Sequence, residues 1–115
     1  MENKLEVWKL AHELVIEIYK VTKSFPREEV YGLVNQVRRS AISIPANIVE
    51  GQARQHKKEF VQFLYVSKGS AEETNYHLFL SKDLGYISCD KYNELGSKCI
   101  RIKMMLNKLI NSLKN

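Results

Sequence analysis

The chain has 115 residues, 44% hydrophobic and 27% charged, with five Gly and two Pro, a balance that fits one globular domain and excludes disordered, collagenous and disulfide-framework classes. Lys and Arg number 18 against 13 Asp and Glu, and the whole excess of +5 falls after residue 90, where Lys91, Lys98, Arg101, Lys103, Lys108 and Lys114 are opposed by Glu94 alone. No apolar run approaches the roughly 20 residues of a membrane span. The opening MENKLEVWKL lacks the apolar core of a signal peptide, so a cytoplasmic location is expected.

The first periodic segment predicts a helix over about 5–23, with Trp8, Ala11, Val15, Ile18 and Thr22 as its apolar stripe and Leu14 and Tyr19 flanking it. Ser24-Phe25-Pro26 ends it, because the residue before a proline is pushed out of the helical region. A second helix is expected over about 27–52, with Glu28 and Glu29 at its positive end and Gly51 as its stop. Leu33, Val34, Val37, Ala41, Ile44 and Ile48 share its core face, and Pro45 in its interior predicts a bend. The third helix should run over about 56–84 and turn Phe60, Phe63, Leu64, Ala71, Leu78 and Leu84 inward. Its middle is small, at Ser67, Gly69, Ser70 and Ala71, which lets another backbone come close. Gly85 ends it. Ser88 caps a fourth helix over about 88–113, whose Leu95, Cys99, Ile102, Leu106, Leu109 and Leu113 step by four and three as a heptad seam. Four such helices with short connections predict an all-α fold, a single antiparallel up-down-up-down four-helix bundle.

Two surfaces stand out as candidate sites. Beside the core face of the second helix lies a stripe of polar residues, Gln36, Arg39, Ser43, Asn47, Glu50 and Arg54, for which Ser70 and Glu73 on the third helix are candidate partners. Buried polar groups must be paired, and pairs across a bundle seam fix its register, so a structural or assembly role is the first reading and ligand contact the second. On the fourth helix Lys91, Lys98, Arg101 and Lys108 fall on one arc, a candidate nucleic-acid contact if exposed and a solvated face otherwise.

Chemistry is hard to place. His56-x-x-Glu59 and Glu73-x-x-x-His77 do not repeat the two Glu-x-x-His pairs of a di-iron bundle. Cys89 and Cys99 form no CxxC, and Cys99 falls on an apolar stripe. No serine has an evident histidine base and no Gly-rich phosphate loop exists. The expectation is a non-enzymatic protein with no catalytic residue, metal, cofactor or small-molecule substrate.

The string YGLVNQVRRSAISIPANIVEG (Tyr31–Gly51), Arg54, the run EFVQFLYVSKGS (Glu59–Ser70), Glu73 and the DLGYI turn (Asp83–Ile87) resemble the bacterial four-helix-bundle family first noted in reading frames inside 23S rRNA intervening sequences. The resemblance runs nearly end to end and departs at Val49, Ala71, Thr74 and the Gln55-His56 pair. It implies a homo-oligomer, with a ring of five the expected form. It also points to a related basic pentameric bundle, the accessory protein of diversity-generating retroelements, which associates with a reverse transcriptase and nucleic acid. An oligomeric binding protein that engages RNA or a nucleic-acid-handling protein is therefore the expected function. The alternative is a purely structural or protein-interaction assembly module.

Overall fold

The computed structural model describes residues 2–114, with side chains from Glu6 onward. Helix α1 spans Glu2–Thr22, α2 Leu33–Gln52, α3 Lys57–Asp83 and α4 Cys89–Lys114. Each helix packs on the next and α4 closes against α1, with no diagonal packing among the described residues. Paired side chains fix the directions. Along α2 and α3, Ser40 meets His77, Ser43 meets Ser70 and the Ile44 carbonyl meets Ser67, so numbers fall on one helix as they rise on the other. Across α3 and α4, Glu72 pairs with Lys103 and Tyr65 with Lys114. Arg38 reaches back from the first turns of α2 to Thr22 at the end of α1. This is the expected antiparallel up-down-up-down bundle.

The core of α2 is the one its periodicity predicts, with Leu33, Val34, Val37, Ala41, Ile44 and Ile48 all buried. On α4, Leu95, Cys99, Ile102, Leu106 and Leu109 are buried and Leu113 packs at the rim. Of the expected α1 stripe, Ala11, Ile18 and Thr22 are buried, while Val7 and Leu14 take the inward places expected for Trp8 and Val15. Val7, Ala11, Leu14 and Ile18 point inward, while Trp8 and Val15 sit at the edge and Tyr19 is exposed. Both sets have helical spacing, and the indole lies at the margin, stacked on His12 at 5.1 Å. On α3, Phe63 is only half-buried and Leu84 is exposed, since the helix ends at Asp83 and Leu84 belongs to the turn.

The second helix does not begin at Arg27. Arg27–Glu29 form a short 3-10 turn, and α2 starts six residues after Arg27, at Leu33. The missing N-cap side chain is replaced from a distance. Glu29 Oε1 accepts from the Leu33 N–H at 3.1 Å while Glu29 Oε2 accepts from Tyr86 O–H at 2.9 Å, so one carboxylate starts α2 and anchors the α3–α4 turn. That hydrogen bond, first among its causes, holds the Tyr86 phenol above its ordinary value. In that turn Gly85 takes φ +80°, and the N–H groups of Gly85 and Tyr86 bond back to Lys82 and Ser81, the left-handed helix stop the sequence implies. Ser88 caps α4, its Oγ accepting from the Lys91 N–H at 3.0 Å.

Gly51 has a different role from the one expected. Helix α2 runs through it to Gln52 without a positive φ. What it supplies is closeness: a Cβ there would lie 2.6 Å from Phe63 Cβ and 2.9 Å from Phe60 Cδ1. A Gly51→Ala substitution is therefore expected to lower stability by about 1–3 kcal/mol through overpacking, despite alanine's better helix propensity. Urea unfolding followed by circular dichroism checks this; a stabilised variant would show that α2 and α3 can separate there without cost.

Candidate functional site

The region where α2 meets α3 is lined by hydroxyls. Ser40, Ser67, Ser70, Thr74, His77 and Ser81 are buried, and each has a partner. Ser67 Oγ donates to the Ile44 carbonyl at 2.8 Å, beside Pro45, and Asn47 Nδ2 donates to the Ser43 carbonyl at 2.7 Å and to Ser43 Oγ at 2.8 Å. Ser70 Oγ lies 2.8 Å from Ser43 Oγ, which continues the chain across the seam. Helix α2 passes through Pro45 unbroken, with these side-chain donors on the carbonyls just before it.

A second chain runs deeper. Thr74 Oγ1 lies 2.8 Å from the Ser70 carbonyl and 2.9 Å from Ser40 Oγ, and Ser40 Oγ is 3.1 Å from His77 Nδ1. With Thr74 donating to Ser40 and Ser40 to Nδ1, neutral His77 carries its proton on Nε2, which faces Glu73 Oε2 at 3.7 Å. Burial lowers the His77 pKa from its ordinary 6.5, and the Glu73 carboxylate opposes that shift without reversing it. Ser40 Oγ is buried and committed to Thr74, Val37 and His77, so the Ser–His contact is a packing device and not an exposed nucleophile.

The structure draws together only part of the polar stripe. Ser43, Asn47 and Ser70 form one hydrogen-bonded group across the seam, and Glu73 stands at its exposed edge beside His77. Gln36 and Arg39 are exposed and make no part of it. Glu50 and Arg54 pair with each other at 3.1 Å, one helical turn apart, with the guanidinium 4.8 Å from the Phe63 ring centroid. Ser40 belongs to the polar stripe of α2, whereas the deeper α3 members Ser67, Thr74 and Ser81 are not among the expected partners. Their signal is the spacing of Ser67, Ser70, Thr74, His77 and Ser81, a three-and-four step of small polar residues along α3.

The basic arc of α4 is interrupted. Lys98 is joined to Glu17 of α1, and Lys91 lies 3.3 Å from Glu94. Lys103, outside the arc, is held by Glu72 of α3 at 2.8 Å. Arg101 and Lys108 alone of the four make no ion pair among the described residues; they border an open hollow floored by Met104 and Met105. Cys99 is buried on the same helix, and desolvation pushes its thiol up to about 12. No group of three or more His, Cys, Asp and Glu side chains arranged to hold a metal occurs among the described residues.

An apolar opening on the surface of α1 and α2 has no counterpart in the sequence reading. Trp8, Val15, Ile42, Pro45, Ala46 and Val49 line a shallow hollow of about 430 Å³. Ile42 and Val49 are 41% and 53% exposed, well beyond what an inward-packed pair would show.

The geometry defines a closed antiparallel four-helix bundle with a hydroxyl-lined seam. The family of 23S rRNA-intervening sequence proteins matches residues 3–108, and the chain belongs to that family. Among solved structures it is similar to a protein of unknown function from the S23 ribosomal protein family of Bacteroides thetaiotaomicron, with a TM-score of 0.88 and 26% identity over 95% of this chain and 98% of that one. No curated protein matches it. No helix among the described residues is long and apolar enough to cross a membrane.

Because the fold favours neutral His77, the unfolded chain takes up its proton first as pH falls. Stability should hold above about pH 6.5 and decline below it. Urea midpoints between pH 8 and 5 should show this decline, and His77→Gln should flatten it. A midpoint that rises on acidification would mean the Glu73 attraction outweighs burial. Thr74→Val should cost about 1–2 kcal/mol at any pH in that range, by removing the hydroxyl that lies between Ser40 Oγ and the Ser70 carbonyl.

Proposed function

We propose that the chain is a non-enzymatic binding protein that works as a homo-oligomer, five-membered as the family resemblance implies, and offers cationic surfaces to RNA. The observation that carries this reading is the apolar hollow between α1 and α2. Small monomers seldom leave a contiguous apolar patch uncovered, and Ile42, Val49, Pro45 and Trp8 form one that a second copy would cover. A closed ring joins two different patches. The second is supplied by the outer face of α3, where Val66 and Tyr76 are 52% and 58% exposed.

One observation favours the alternative, an assembly module without a nucleic-acid role. Glu94 and Glu17 already neutralise Lys91 and Lys98, so the α4 arc is weaker than its sequence suggests. Arg101 and Lys108 remain for phosphate contact on that flank.

The test is mass in solution. Light scattering should give a multiple of the 13.4 kDa chain, and an Ile42→Glu/Val49→Glu double variant should weaken association roughly 100-fold or more while keeping its helical circular dichroism. A monomeric wild type would end the oligomer reading. An unchanged mass in the double variant would place the interface elsewhere.

A further inference from the structure

The sequence places all its excess charge on residues 91–115, and the fold brings one of those lysines together with two from α3. At the end of the bundle where α3 begins and α4 ends, Lys57, Lys58 and Lys114 surround a hollow of about 470 Å³ floored by Val61 and Leu113 and walled by Tyr65. None of these three lysines meets a carboxylate among the described residues, whereas Lys91, Lys98 and Lys103 each do. Glu59, the nearest acidic residue in sequence, projects about 130° around α3 from the centre of the Lys57–Tyr65 face. Lys114 Nζ stands 3.5 Å from the Tyr65 hydroxyl and 5.9 Å from its ring centroid, at the edge of the ring and not across its face. Tyr65 is 42% exposed.

We infer that this hollow binds a single-stranded polynucleotide segment, with a base laid on Tyr65 and the apolar floor and the flanking phosphates held by Lys57, Lys58 and Lys114. The chemistry selects this occupant. Three ammonium groups with no internal counterion attract a polyanion. An exposed ring with an apolar floor beside them adds what phosphate alone does not use, a stacking platform that every base can occupy. A double helix would hide its bases from the ring. The inference rests on the binding-protein reading above and moves its nucleic-acid contact from the flank of α4 to the end of the bundle. In an oligomer the hollow would recur once per copy, and contacts along one strand would reinforce each other.

The experiment is a fluorescence-anisotropy titration of nuclease-treated protein with a labelled oligouridylate of about 15 nucleotides, at several salt concentrations. Lys57→Gln/Lys58→Gln/Lys114→Gln is expected to weaken binding at least tenfold and to reduce the slope of log affinity against log salt by about two, since three phosphates are released. Tyr65→Leu should weaken binding roughly tenfold with little change of slope. Arg101→Gln/Lys108→Gln should weaken binding clearly less than the triple variant does and leave the effect of Tyr65→Leu intact. Light scattering on each variant shows whether assembly is kept. Wild-type affinity in the triple variant, or loss confined to the α4 pair, overturns the inference while leaving the RNA reading standing. Absence of oligouridylate binding by an intact oligomer overturns both nucleic-acid statements and spares the assembly. Equal competition by polyglutamate, with Tyr65→Leu unaffected, overturns the polynucleotide in favour of an acidic protein segment.

Discussion

The close approach of α2 to α3 is the constraint on which the rest of the bundle depends. Serine and threonine hydroxyls replace aliphatic bulk along this line, and a buried hydroxyl is tolerated only when paired. Ser67 on the Ile44 carbonyl, Ser70 on Ser43 and Thr74 on Ser40 meet that demand across the seam. A slip of α3 along α2 would break all three pairs at once, so the hydrogen bonds fix register while the aliphatic core supplies the bulk of the driving force. Gly51 extends the close contact to the end of α2, against Phe60 and Phe63. Helices α1 and α4 then pack on either side with Val, Leu and Ile, where spacing matters less.

The sequence speaks clearly wherever one physical effect dominates. The core of α2, the heptad seam of α4, the Ser88 cap and the Gly85 stop are all readable, because each depends on local periodicity or local backbone chemistry. The α1 stripe differs only at Trp8 and Val15, because Val7 and Leu14 are their neighbours and helical spacing alone does not choose between them. The start of α2 is hidden because Glu29 caps it from outside the helix while also holding Tyr86, 57 residues away. Gly51 looks like a helix stop because its true demand comes from two phenylalanines on another helix. The candidate site divides in the same way. Ser43, Asn47 and Ser70 are legible as a cross-helix group, whereas Gln36 and Arg39 lie on the outside and Glu50 and Arg54 satisfy each other.

Charge shows most plainly why placement outranks composition. Along the chain the positive excess belongs to residues 91–115, yet α1 and α3 each send a glutamate to α4, at Lys98 and Lys103. The antiparallel fold brings Lys114 to Lys57 and Lys58, from opposite ends of two helices, and none of the three meets a carboxylate among the described residues. On the proposed reading, function would divide over surfaces: an apolar flank on α1 and α2 for another copy, and cationic ground on α3 and α4 for a polyanion. The buried seam holds the two in fixed relation.

Trp8 offers the most direct view of the assembly on which this account turns, since it is the chain's single tryptophan and lines the α1–α2 hollow. Its emission should be followed across a dilution series alongside the mass of the same samples. If copies cover that hollow, the emission shifts to the red on dilution with the midpoint at which the mass falls. Emission that stays constant while the mass falls would contradict the account, because association would then occur on a surface that leaves the α1–α2 flank open.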